Sequence, residues 1–125
     1  MTIDKLIEEA KNENWDLIDQ QIPKIANEKD YVEWAKIGLD NSDGNVRDFA
    51  TSIFGKYYNG SIEDIEEKLY HLMKTDENPY VRFRSAFALA YHNSKKDIDK
   101  IREVLKEAFL DEDVSEIAKE CLEKL

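Results

Sequence analysis

Residues 45–50 read Asn-Val-Arg-Asp-Phe-Ala, and the pattern of this stretch returns twice further along the chain. Residues 80–85 read Tyr-Val-Arg-Phe-Arg-Ser, and residues 113–118 read Asp-Val-Ser-Glu-Ile-Ala. The valines of the three stretches lie 35 and then 33 residues apart. A period of this length, in a chain with only four Gly and two Pro, predicts an all-α array of helical hairpins.

Positions around each valine repeat together with it. The residue four positions later is small, the residue eight positions later is large and apolar, and the residue three positions earlier is a good N-cap. In chain order these sets are Ala50, Ser85 and Ala118; Phe54, Leu89 and Leu122; and Asp43, Asn78 and Asp111. An apolar residue also recurs nine positions before each valine, as Ile37, Leu72 and Leu105. Because small residues let helices approach closely while large ones fill the seam, we expect the hairpins to stack on one another.

Apolar residues recur at helical spacing along nearly the whole chain and predict eight helices. The eight apolar stripes begin near Ile3, Trp15, Tyr31, Val46, Ile65, Val81, Ile98 and Val114. Pro23 should kink or split the second helix, because proline removes a backbone hydrogen bond. Ser61 with Asp64, and Ser94 with Asp97, predict capping boxes for the fifth and seventh helices. Short connections leave no room for a linker, so we predict one domain over residues 1–125.

The repeated stretches resemble the HEAT repeat, particularly its short variety first noted in phycobilisome lyases. The consensus of that family places Val-Arg before a small residue and then Leu-Gly. This chain has Val46-Arg47 followed by Phe54-Gly55, and Val81-Arg82 followed by Leu89-Ala90, whereas the third copy lacks the arginine. The resemblance covers about residues 27–125 and implies an α-α superhelix, a HEAT-like solenoid of about four hairpins. Its predicted parts are a capping hairpin at residues 1–27 and repeats at residues 28–59, 60–93 and 94–125.

Composition excludes several classes of function. The chain has 28 Asp plus Glu against 18 Lys plus Arg, a net charge of −10, which argues against nucleic acid as a partner. The lone Cys121 excludes an intrachain disulfide and a cysteine-based zinc cluster. The N-terminus lacks the pattern of a secretory signal, and the longest uncharged apolar stretch, residues 85–91, is far too short to cross a membrane. We therefore expect a cytoplasmic protein with no membrane contact.

No catalytic constellation emerges from the sequence. HEAT-like di-iron hydroxylases, a class that the chain resembles in architecture, use His-Glu dipeptides as metal ligands, but here the histidines occur as His71-Leu72 and His92-Asn93. A position on a helix surface for His71 and at a helix C-terminus for His92 is the favoured interpretation. The chain contains no glycine-rich phosphate loop and no nucleophile elbow. We predict no catalytic residues, no metal and no cofactor.

Arg47 and Arg82 occupy the same position in consecutive repeats. One interpretation is contact with an anion or an acidic peptide. The favoured one is that each arginine pairs with a neighbouring acid and so links the repeats. The acids within reach in the sequence are Asp43, Asp48, Asp76 and Glu77.

The sixth helix carries a second apolar stripe in addition to its core stripe of Val81, Ser85, Ala88 and Leu89. Burial between flanking repeats is the favoured explanation of this all-round hydrophobicity. The alternative is an aromatic-plus-arginine patch on the concave face, a composition typical of protein interfaces. The candidate partner-binding residues are Tyr80, Phe83, Arg84, Phe87, Tyr91 and Arg47.

The sequence is compatible with two functions. The first is a non-catalytic interaction scaffold that binds a protein or peptide on the concave face formed by the second helices, with Phe83 or Phe87 exposed in a shallow groove. Self-association through the same patch would share this chemistry. The second is a small enzyme or lyase-type subunit acting on a modified protein or cofactor, which needs a closed pocket holding His71 or His92 beside carboxylates.

Overall fold

The computed structural model describes all 125 residues and is entirely helical, with eight helices and no strands. The helices are α1 Ile3–Lys11, α2 Trp15–Ile25, α3 Lys29–Gly38, α4 Gly44–Ile53, α5 Glu66–Thr75, α6 Pro79–Tyr91, α7 Ile98–Phe109 and α8 Ser115–Glu123. Both the all-α class and the number of helices predicted from the apolar stripes are confirmed. No helix is long and apolar enough to span a bilayer.

The chain forms two compact units, Met1–Gly60 with helices α1–α4 and Ser61–Leu125 with helices α5–α8. The boundary between the units lies one residue from the predicted repeat boundary after residue 59. The prediction of a single domain, and the boundaries after residues 27 and 93, stay predictions.

In the first unit, α4 packs against α1, α2 and α3. Its buried face contains Val46, Phe49, Ala50 and Ile53, all completely shielded from solvent. Helices α3 and α4 approach so closely that a Cβ added to Gly38 would lie 2.9 Å from the Cβ of Ala50. The small residue four positions after the valine therefore does here what the repeat pattern predicts.

In the second unit, α6 packs against α5, α7 and α8. Eight of its residues are buried, and they are distributed around the helix and not confined to one stripe. A helix with neighbours on several sides can bury apolar residues all round, which explains why α6 is apolar around much of its circumference.

Asp43 and Asn78 are the N-caps of α4 and α6, as predicted. Asp43 Oδ1 accepts hydrogen bonds from the backbone N–H groups of Asn45 and Val46, at 2.8 and 3.2 Å. Asn78 Oδ1 accepts from the N–H of Tyr80 at 2.9 Å. Asp111 Oδ1 likewise accepts from the N–H of Asp113 at 2.9 Å. Asp111 is not the N-cap of α8, however, because that helix begins only at Ser115.

The two predicted capping boxes are wrong. Helix α5 begins at Glu66, beyond Ser61, whose hydroxyl instead accepts from the N–H of Glu63. Helix α7 begins at Ile98 after Asp97, which has a left-handed backbone with φ 50° and makes no side-chain cap. The hydroxyl of Ser94 lies 3.1 Å from the Tyr70 hydroxyl, and the N-cap position of α7 is occupied by Asp97.

Two further expectations are corrected. Pro23 does not split α2, which continues to Ile25, and a kink at this position stays a prediction. Ile37 is 74% exposed, whereas Leu72 and Leu105 at the same register are 7% and 0% exposed. The apolar position before the valine is therefore a core position in the second unit only.

Candidate interaction surface on helix α6

Residues 80, 84, 87 and 91 share one face of α6, because they follow one another at steps of four, three and four. Tyr80, Arg84 and Tyr91 are half-buried. Phe83 and Phe87 are only 4% and 3% exposed, so they are buried, as the favoured explanation predicts, and the alternative that they lie open in a groove is wrong. The close packing of α6 inside the second unit encloses them, which leaves the tyrosines and the arginine as the accessible part of the candidate site.

Tyr80 is tied to the turn that precedes α8. Its hydroxyl donates to Asp111 Oδ2 at 2.9 Å and to Asp113 Oδ2 at 3.4 Å. The bond to the Asp111 carboxylate, together with burial, raises the pKa of Tyr80 to about 12. The ring also packs edge-on against Phe83, with the centroids 5.8 Å apart. Tyr80 therefore links the start of α6 to the α7–α8 turn while leaving part of its surface accessible.

Tyr91 lies beside α8 at the other end of the same face. Burial raises the pKa of Tyr91 above its ordinary value, and the acidic groups of Cys121 and Glu120 add to the shift. The Lys124 ammonium lies 5.8 Å from the centroid of the ring, within cation–π range. Burial also raises the pKa of the Cys121 thiol to about 12, so the fully buried cysteine is a poor nucleophile and packs as a core residue.

Arg47 and Arg82 perform the same structural task in the two units. Arg47 Nη1 donates to the backbone carbonyls of Asn41 and Ser42, at 2.9 and 3.2 Å. Arg82 Nη1 donates to the carbonyl of Asp76 at 2.7 Å. Each guanidinium thus bonds to the chain just after the first helix of its hairpin, where carbonyls lack helical partners.

Acid pairing, which the sequence favoured for these arginines, is seen for Arg82. Arg82 Nη2 lies 3.8 Å from the Glu107 carboxylate on α7. The acceptor is on the following hairpin and not among the acids expected from the sequence, and both side chains are partly exposed. Both arginines therefore bond to backbone carbonyls, which sequence periodicity does not specify.

Two features of these turns are not among the predictions from the sequence. Asn41 Oδ1 accepts from the N–H of Asp43 at 2.8 Å, and Asp76 Oδ1 accepts from the N–H of Asn78 at 2.9 Å. Each N-cap is thus preceded by another side-chain turn, and the signal was present as Asx residues two positions before each cap. Phe109 stands at that position in the third copy, which lacks this turn.

A cluster around Tyr70 also went unrecognised. Tyr70 is 3% exposed, and its hydroxyl lies 3.1 Å from the Ser94 hydroxyl. The ammonium groups of Lys74 and Lys96 lie 5.6 and 5.3 Å from the centroid of its ring. Lys74 additionally pairs with Asp97 at 3.0 Å. These contacts hold the 93–97 connection against α5 and explain why Ser94 is buried.

The histidines lie at the positions that the sequence favoured, a helix surface for His71 and a helix C-terminus for His92. His71 is exposed, and its Nε2 lies 3.4 Å from the Thr75 hydroxyl one helical turn later. His92 is the C-cap of α6, at the helix end where the sequence placed it. No group of three or more His, Cys, Asp or Glu side chains is arranged to hold a metal ion.

No protein-family model, curated protein or solved structure matches this chain at a significant level.

Proposed function

We propose that the chain is a short HEAT-like repeat protein whose four hairpins form an α-α superhelix. Support comes from the turn that opens the second helix of two hairpins. In both, an arginine next to the repeated valine bonds to the backbone after the preceding helix, at 2.9 Å for Arg47 and 2.7 Å for Arg82. The same residue types therefore perform the same physical task one repeat apart, which is the property that a repeat architecture requires.

The function that this architecture supports best is a non-catalytic scaffold, acting in the cytoplasm, which binds a protein or peptide on the face formed by the second helices. The observation that carries the proposal is the half-buried face of α6 with Tyr80, Arg84 and Tyr91. Tyrosine and arginine are enriched among the residues that dominate interface energies. Phe83 and Phe87 leave the binding set and instead anchor the helix in the core.

The charge around this face is mixed. Asp111 and Asp113 border Tyr80, and Glu120 borders Tyr91. Arg84 lies between the two tyrosines, and the Lys124 ammonium lies 5.8 Å from the centroid of the Tyr91 ring. Complementary charge steers association and suppresses wrong partners, so we expect a peptide or protein segment that places an acidic residue opposite Arg84.

The proposal is tested by capturing partners from a cell extract on the immobilised chain and on an Arg84→Glu variant. Arg102→Glu is the matched control, because it makes the same charge change on α7, where Arg102 pairs only with Asp99 three residues earlier. We expect Arg84→Glu to lose a specific set of bound proteins that Arg102→Glu retains, with both variants showing the wild-type circular dichroism spectrum. Identical bound sets for all three proteins would contradict a role for this face.

Self-association through the same face is another outcome of the experiment. Sedimentation of the purified chain would reveal it, and Arg84→Glu would then shift the assembly toward monomer. The enzyme or lyase-type alternative gains no support from His71, whose ring faces Thr75 and not a carboxylate.

A further inference from the structure

The connection between α4 and α5, residues 54–65, contains the only Asn-Gly pair of the chain. Asn59 and Gly60 are both exposed and lie outside the helices. The carboxamide of Asn59 makes no hydrogen bond, and neither does the backbone N–H of Gly60. The electrophile and the nucleophile of an intrachain cyclisation therefore stand next to each other with no hydrogen bond to break.

We infer that Asn59 is a site of spontaneous deamidation in the folded protein. The backbone nitrogen of Gly60 attacks Cγ of Asn59 and loses its proton, and the Cγ–Nδ2 bond breaks to release ammonia. The product is a five-membered succinimide, and no oxidant or reductant is needed. Water then adds to one of its two carbonyls and opens the ring, which gives isoaspartate or aspartate at position 59.

Glycine makes this reaction easier than any other following residue would, because it has no Cβ to hinder the approach of its nitrogen. A Cβ added to Gly60 would overlap the Tyr58 hydroxyl and lie 2.6 Å from Cζ of that ring, so a larger residue at position 60 would require the Tyr58 ring to shift.

The reaction alters a segment whose backbone is held by the side chain of Asn27. Asn27 Nδ2 donates to the carbonyl of Tyr57, and Asn27 Oδ1 accepts from the N–H of Asn59, both at 2.8 Å. An isoaspartyl linkage adds one carbon to the main chain directly after that anchored N–H and adds one negative charge. The modification therefore falls between the anchored part of the connection and the beginning of the second unit.

The test is to incubate the full folded chain at mildly alkaline pH and to follow each asparagine-containing peptide by mass spectrometry. We expect the Asn59 peptide to gain the mass difference between an amide and an acid before any other asparagine converts. An isoaspartate-specific methyltransferase should label that peptide. Asn41 and Asn93, each followed by serine, are the internal references, and Asn78, followed by Pro79, cannot close the ring because proline has no N–H.

Two results would overturn the inference. One is an Asn59 that keeps its amide while Asn41 or Asn93 converts. The other is conversion of Asn59 in urea but not in the folded chain, which would mean that the fold protects the site. The Asn59→Gln variant is the matched control: it should lose the early mass gain, since glutamine must close a larger ring, and an unchanged rate in this variant would place the reaction elsewhere.

Discussion

Helices α4 and α6 begin in the same way and pack differently. Both follow an Asx N-cap, and both carry an arginine that bonds to the backbone after the preceding helix. Each is buried on several sides, but they differ at the position four residues after the valine. Ala50 of α4 lies against Gly38 of α3, whereas the Ser85 hydroxyl of α6 donates to the carbonyl of Val81 in its own helix. The hydrogen bonds of each turn depend on residues within about ten positions, so they recur where those residue types recur. Packing depends on which helices stand alongside, and this differs between the two units.

The largest expected effect concerns the all-round burial of α6. Phe87→Ala should destabilise the chain by about 3–5 kcal/mol, because it removes a ring that is 3% exposed and leaves a cavity. Urea denaturation followed by circular dichroism measures the change. Phe109→Ala is the control, since that ring is 46% exposed, and it should cost less than about 1 kcal/mol. Equal losses for the two variants would break the contrast between the buried and exposed rings.

The close contact of α3 and α4 gives the next effect. Gly38→Ala should cost about 1–3 kcal/mol, because the new Cβ would lie 2.9 Å from the Cβ of Ala50 and 3.2 Å from the Trp34 ring. Adding Ala50→Gly should recover part of this loss. At the corresponding position of α6, Ser85→Ala removes only a bond from the hydroxyl to the carbonyl of Val81 in the same helix, and we expect less than about 1 kcal/mol.

The shared arginines should give equal effects in both units. Arg47→Ala and Arg82→Ala each remove a charged donor from a backbone carbonyl, and we expect each to cost about 1–2 kcal/mol in urea denaturation. Arg102→Ala should cost less than about 0.5 kcal/mol, because it breaks only a surface pair with Asp99. The two turns would not be equivalent if the stability losses of Arg47→Ala and Arg82→Ala differed by more than those of Arg82→Ala and Arg102→Ala.

The smallest effect at neutral pH concerns Tyr80, a contact without a counterpart in α4. Tyr80→Phe removes the bond to Asp111 and should cost about 1 kcal/mol. The folded chain holds the pKa of Tyr80 at about 12 against an ordinary value of 10.0, so it favours the neutral phenol. This contribution is complete below pH 10 and is lost as the pH rises toward 12. The stability difference between wild type and variant should therefore shrink over that interval, and a constant difference would show that the phenol is not held neutral by the fold.

Much of the local structure could be predicted from single residues and their spacing. The eight apolar stripes marked eight helices, and Asp43 and Asn78 marked two helix starts. Where a side chain had a choice of partner, the sequence was insufficient. Serine is favoured at helix N-caps, but the Ser94 hydroxyl is bonded to that of Tyr70. Arg82 has acidic residues near it in the sequence, but its guanidinium donates to a backbone carbonyl.

The sequence by itself determined the helices, two of their N-caps and the acidic balance, because helix formation and capping depend on residues a few positions apart. Only the tertiary structure decided which parts of the aromatic stripe are accessible. The spacing of Tyr80, Phe83, Phe87 and Tyr91 is equally compatible with an open patch and a buried face. The packing of α6 against three other helices resolved it, since burial is a property of the neighbours and not of the stripe.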